Sequence, residues 1–233
     1  MLMNPVESST WLALIAAIAY IVGSFPTAYF VTKRMGRKDI RLEGSHNVGA
    51  MNAYGLIKSN GSGKLAVLGL VIIVATDMGK GILAIYIARW LSFLGYNPVA
   101  ALTIGSLFVI LGHNYPFCFK FKRGGMGLAS FMGVLLALKV PTLAIWGGTM
   151  LLFIFMAEYI QVRKWNLTSF PKVLSVIGNQ VPGRLIGLGI ALVPVYFFDF
   201  QLLFPALGPT ILVLIKHAGK IKTLVRASKN RQG

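Results

Sequence analysis

Cysteine and acidic side chains are scarce in this chain. One cysteine, Cys118, stands among 233 residues, so no internal disulfide framework can form. A lone thiol beside apolar segments reads as a small buried hydrophobe near a membrane interface. Only six Asp and Glu face 23 Lys and Arg, and the three His are dispersed. No carboxylate-rich cluster or His/Cys spacing offers a metal its ligands, so neither metal nor cofactor is expected. A Gly-x-Ser-x-Gly elbow, a Walker loop and a His-x-x-x-x-Asp pair are all missing as well.

Charge-free runs, by contrast, abound. The chain is 56% hydrophobic and 12% charged, with a mean hydropathy of +0.72, which excludes an ordinary soluble domain. The runs lack the period-two alternation of barrel strands, so the fold class is all-α, a polytopic integral membrane protein. Residues 1–233 read as a single transmembrane domain, with spans near 10–32, 65–92, 99–112, 127–138, 142–160, 185–200 and 202–216. The last four pair as tight hairpins turning at Pro141 and at Phe204-Pro205. No basic stretch precedes Trp11, so the first run reads as a retained span rather than a signal peptide.

A net charge of +17 would point to nucleic acid in a soluble protein. Here the cations fall in loops between spans, where they orient the chain and attract anionic lipid, so nucleic acid is not a partner. Threading seven spans puts 20 of the 23 Lys and Arg on one side, counting Arg184 in the 163–184 loop. That asymmetry predicts an outside N-terminus and a cytoplasmic C-terminus in a cell (inner) membrane.

Three polar clusters then share the cytoplasmic face. The first is Gly44-Ser45-His46-Asn47-Val48-Gly49-Ala50-Met51-Asn52, preceded by Lys33, Arg34, Arg37, Lys38 and Arg41. Small residues let a backbone approach an anion and turn its N–H groups into one concave nest, and Ser and Asn add short donors. Gly49 is expected at positive φ. The second, residues 112–127, joins His113 to Lys120, Lys122 and Arg123 and to a second glycine nest before an apolar helix, where anions are favoured. The third begins at His217. Within the second span, Asp77 and Lys80 stand at i, i+3 on one helix face; a structural ion pair and a substrate role are equally open. The histidines read either as interfacial hydrogen bonders or as proton-transfer groups.

On these residues the chain resembles the bacterial acyl-phosphate:glycerol-3-phosphate acyltransferases of the PlsY type, over nearly its whole length. Residues 23–29 are similar to the end of that family's first helix, and 39–52 to its first cytoplasmic motif. Asp77, Lys80 and Gly81 match its Asp-x-x-Lys-Gly segment. Gly112-His113, Tyr115-Pro116 and Gly124-Gly125-Met126-Gly127 resemble its second motif, and His217, Ile221 and Leu224 the start of its third. The resemblance implies a seven-helix enzyme with a cytoplasmic-facing site. It would move a fatty acyl group from acyl phosphate to the 1-hydroxyl of glycerol 3-phosphate, with membrane lipid as the third partner. Asn47, His113 and His217 are the implied catalytic residues. Arg41, Gly44, Ser45, Asn47, Gly49, Asn52, Lys122, Arg123, Gly124, Gly125 and Lys220 are the implied substrate contacts, supported from behind by Asp77 and Lys80. The chain departs from the pattern at Met126, where the family has lysine, with Arg123 as an insertion. It departs also near Gly55, where an arginine is usual, and at Lys220 and Lys229, where asparagine and glutamate are usual. Arg123 or Lys220 is expected to replace the missing cations. Two other readings stay open: a non-catalytic or altered-substrate member of the same scaffold, and an anion or phospholipid transporter.

Overall fold

The computed structural model describes residues 5–93, 97–122, 124–163 and 168–229, with side chains from 9 to 218 except Phe170. All regular elements among these residues are helices. Helix α1 (Pro5–Gly23) breaks at Pro26, which cannot donate a helical hydrogen bond, and resumes as α2 (Thr27–Val31) with a wider turn over Thr32–Gly36. A loop over 37–49 leads to α3 (Ala50–Lys58), a short helix within the polar segment between the first two spans. Helix α4 (Gly63–Ser92) starts where Ser62 Oγ accepts the Leu65 N–H at 3.2 Å. In α5 (Pro98–Asn114) the Asn97 carboxamide caps Val99 at 3.0 Å and Pro98 opens the first turn. Then follow α6 (Leu128–Leu138), α7 (Val140–Val162), α8 (Phe170–Asn179), α9 (Val181–Ile190), α10 (Leu192–Phe198) and α11 (Leu203–Lys229).

Among the described residues, six helical segments are long and apolar enough to cross a bilayer: Ser9–Gly36, Gly63–Ser92, Pro98–Phe119, Val140–Val162, Val181–Phe198 and Phe200–Ala218. The seventh apolar run is α6, whose 11 residues reach about 16 Å, roughly half of a hydrocarbon core. The hairpins turn slightly earlier than the prolines had indicated. The breaks fall at Lys139 and Asp199, both extended, and Pro141 and Pro205 lie in the first turns of α7 and α11. Proline is tolerated there because the first-turn N–H groups have no intrahelical acceptor. Lys139 and Asp199 close their end of the bundle as an ion pair, which holds the Asp199 carboxyl below the usual carboxylate range.

Glycines set how closely the helices meet. A Cβ on Gly81 would lie 2.1 Å from Ser130 O, and one on Gly133 would lie 1.9 Å from Met78 O, so α4 and α6 touch backbone to backbone. Gly23 and Gly112 do the same for α1 and α5, with a Cβ 2.1 Å from Val109 O and 2.2 Å from Tyr20 O. Around these contacts lies the largest buried apolar cluster, with the Phe131 and Trp146 rings edge to face at 5.1 Å. The close approach carries Asp77 and Lys80 of α4, His113 of α5 and Ser130 of α6 to one place.

Candidate active site

The loop over 37–49 is held by side chains of its own neighbourhood. Asn52, on the first turn of α3, accepts the Ser45 N–H at 3.0 Å. Its Nδ2 donates to the carbonyls of Ile40 (3.3 Å), Glu43 (3.2 Å) and Asn47 (3.0 Å). Gly44 takes φ +64°, and a Cβ there would sit 2.1 Å from Asn52 Oδ1, so the clip requires glycine on both counts. Gly49 behaves differently from expectation: its φ of −146° is extended backbone that any residue adopts. What limits the position is space, since a Cβ would lie 2.7 Å from Asn47 Nδ2. Arg41 grips Asp39 with Nε at 3.0 Å and Nη2 at 2.6 Å. Its guanidinium also lies 4.7 Å from the centre of the Tyr29 ring and 5.1 Å from that of Phe119. The guanidinium holds the Asp39 carboxyl below its ordinary value. Arg41 therefore serves the loop and does not line the cavity described next.

That cavity, of about 270 Å³, is lined by the first loop and by residues of α3, α4, α5, α6, α8, α9 and α11. The first loop and α3 bring Ser45, Asn47, Gly49 and Asn52, while α4 and α5 bring Asp77 and His113. Leu70, Val74, Met132, Leu174 and Ile177 supply an apolar wall, and His217 of α11 and Arg184 of α9 complete the lining. Ser45 Oγ and the Asn47 carboxamide have no side-chain hydrogen bond to another described residue, and both face this space. A second, more polar cavity of about 360 Å³ adjoins it, between α3 and α8, with Ser45, Asn52, Lys58, Ser175 and Asn179 in its lining.

His113 Nδ1 lies 3.2 Å from Ser130 Oγ and 3.9 Å from Asp77 Oδ1. Asp77 Oδ1 also accepts from Lys80 Nζ at 2.6 Å, and the same ammonium donates to Phe25 O at 2.5 Å. Both members of the pair are buried, and Asp77 stands between Lys80 and the His113 ring while also lining the cavity. Gly125 packs on that ring: its N–H bonds His113 O at 3.1 Å, and a Cβ would lie 2.1 Å from Nε2. Gly124 packs equally closely on the Asn114 carbonyl, 2.3 Å from a Cβ. These two glycines therefore make room for the histidine and its neighbour. They also line a small recess with Ser24, Lys80 and Val48.

His217 donates from Nδ1 to Val213 O at 2.8 Å. A carbonyl can only accept, so this ring carries its proton on Nδ1, and Nε2 accepts from Arg184 Nη1 at 3.3 Å. Arg184 Nη2 donates to Ile177 O, tying α9 to α8. Neither the role of Arg184 nor helix α8 was recovered from the sequence. Position 184 is not a loop cation: it stands inside an apolar run, in α9, which is the signal that a charge faces the protein interior. Ser130 gave no signal at all.

Other expected residues stand elsewhere. Lys122 is exposed and lines neither cavity. Arg123 lies outside the described residues, as does the side chain of Lys220. Met126 lines the cavity, so an uncharged thioether occupies the position where lysine is usual in the resembling family. Cys118, expected buried, is exposed in the short turn Phe117–Phe119, with its thiol 3.6 Å from Ser24 O. The turn is stapled by Phe119, whose ring takes the place against Tyr29 at 5.5 Å.

The chain is similar to known proteins over most of its length. A family model described as glycerol-3-phosphate acyltransferase matches residues 13–227. A glycerol-3-phosphate acyltransferase of Pseudomonas aeruginosa is 34% identical over 177 residues, covering 76% of this chain and 86% of that protein. The enzyme of the same name from Syntrophotalea carbinolica is 31% identical over 229 residues, covering 96% and 98%. Among solved structures, the glycerol 3-phosphate form of PlsY, an integral membrane glycerol 3-phosphate acyltransferase, superposes with a TM-score of 0.66 at 22% identity, covering 93% and 92%. That likeness concerns the fold.

Proposed function

The chain belongs to the glycerol-3-phosphate acyltransferase family, and we propose that it transfers a fatty acyl group from acyl phosphate to the 1-hydroxyl of glycerol 3-phosphate at the cytoplasmic surface of the membrane. The observation that carries this reading is the shared cavity, where His113 and His217, from helices 104 positions apart in sequence, meet the Ser45–Asn47 loop and an apolar wall. A polar end beside an apolar end suits a donor that is itself a phosphate on an acyl chain.

Acyl phosphate is a mixed anhydride and already activated, so no covalent acyl-enzyme is required. The glycerol 1-oxygen attacks the acyl carbonyl carbon; that C–O bond forms as the bond from the same carbon to the phosphate oxygen breaks. The hydroxyl proton passes to an oxygen of the departing phosphate, giving lysophosphatidate and inorganic phosphate. The protein's task is positioning and charge stabilisation. Asn47 and Ser45 offer donors to a phosphate or to the developing oxyanion, His113 is held in one orientation by Ser130 and Asp77, and His217 Nε2 accepts from the Arg184 guanidinium beside them.

The cation asymmetry supports the cytoplasmic orientation. The test is to supply purified protein with palmitoyl phosphate and radiolabelled glycerol 3-phosphate. Labelled lysophosphatidate that depends on both substrates is the expected result. No labelled product from folded protein would refute the reading and leave a non-catalytic homologue.

A further inference from the structure

We propose that Arg184 is the residue that grips a substrate phosphate in this cavity. The identity of that phosphate rests on the acyl-transfer reading above; the anion site itself does not. Arg184 sits one turn into α9, within a segment apolar enough to span a membrane, and only 6% of it is exposed. Among the described residues it is the one Lys or Arg that lines the cavity. Of the other buried or half-buried cations nearby, Lys80 is paired with Asp77 and Arg41 with Asp39, while the Lys216 ammonium lies over the Tyr115 ring and does not line the cavity.

Arg184 has no such counter-ion. Among the described residues no carboxylate lies within ion-pair distance, and its two hydrogen bonds go to neutral acceptors, the Ile177 carbonyl and His217 Nε2. Its Nε is buried without a partner. Of the five N–H donors of a guanidinium, three are left over. A buried, uncompensated charge is strongly unfavourable, and an incoming anion removes the penalty while accepting those donors as a planar fork. A phosphate held there lies in the cavity that His217, Asn47 and Ser45 line together with the apolar Met132, Leu174 and Ile177. That is the boundary at which an amphiphile places its headgroup.

A purely structural role, tying α8 to α9 through Ile177 O, predicts different behaviour on substitution. Arg184→Gln keeps a donor for the carbonyl and loses the charge; Arg184→Lys keeps the charge and loses the fork. Thermal unfolding of each purified variant is followed with and without glycerol 3-phosphate and with palmitoyl phosphate, alongside KM for each substrate. Arg184→Gln is expected to unfold at or above the wild-type temperature without ligand. It should lose the ligand-induced shift for one substrate and raise that substrate's KM roughly ten- to hundredfold, with Arg184→Lys in between. A rise confined to palmitoyl phosphate assigns the donor phosphate, and one confined to glycerol 3-phosphate assigns the acceptor. Arg184→Gln with both KM values and both thermal shifts within twofold of wild type overturns the proposal. Should wild type form no product, the thermal shifts alone decide it, so failure of the acyl-transfer reading is seen separately.

Discussion

Removing the Asn52 carboxamide should disorder the loop over 37–49 while leaving the helix bundle intact. In Asn52→Ala the Ser45 N–H loses its acceptor, and the carbonyls of Ile40, Glu43 and Asn47 lose their shared donor. Two N–H groups serve three carbonyls, so roughly three full hydrogen bonds vanish, each worth about 0.5–1.5 kcal/mol net. The loop is partly exposed and water replaces some of them, which puts the loss of local order near 1.5–3 kcal/mol. Hydrogen exchange at the Ser45 amide reads this directly and should accelerate by about one to two decades. If the loop binds a phosphate, the KM for glycerol 3-phosphate rises by a similar factor while the global unfolding temperature moves little. Asn52→Asp should be no better than alanine, because it keeps an acceptor for Ser45 but turns a carboxylate oxygen toward three carbonyls. Unchanged exchange at Ser45 in Asn52→Ala, with the protein folded, would refute the claim that this side chain organises the loop.

Gly133→Ala drives a methyl group into Met78 O, 1.9 Å from the ideal Cβ position, and should lower detergent-phase stability by about 1–3 kcal/mol. Gly147→Ala, which meets nothing within 4 Å, should be neutral in the same melt. Asp77→Asn leaves Lys80 buried without its counter-ion, at a cost of about 3–5 kcal/mol; pairing it with Lys80→Met should recover much of the stability but not the orientation of His113, read as restored melting temperature without restored turnover. For topology, a cysteine placed at Ser59 in a Cys118→Ser background should resist a membrane-impermeant thiol reagent in intact cells. Modification from outside would reverse the orientation and with it the cytoplasmic site.

The sequence alone determined the membrane class, the approximate helices and the segments that carry polar chemistry. These properties are local: a charge-free run must satisfy its backbone within itself, and glycines beside Ser, Asn and His mark a loop whatever it packs against. Prolines located the hairpins to within a few residues because a missing N–H is best tolerated in a first turn, as at Pro141 and Pro205. The tertiary structure alone decided which polar residues meet. Arg184 and His217 are 33 positions apart, and their pairing depends on how α9 and α11 cross. The same holds for the glycines: the sequence marked Gly124 and Gly125 as an anion nest, and only packing revealed that they make room for His113 and Asn114. Gly49 proved extended because φ at one residue follows from how Asn52 clips the loop around it. Cys118 came to the surface because Phe119, and not the thiol, packs against Tyr29. Composition fixes what a side chain prefers, whereas its neighbours are set by contacts between segments far apart in the chain.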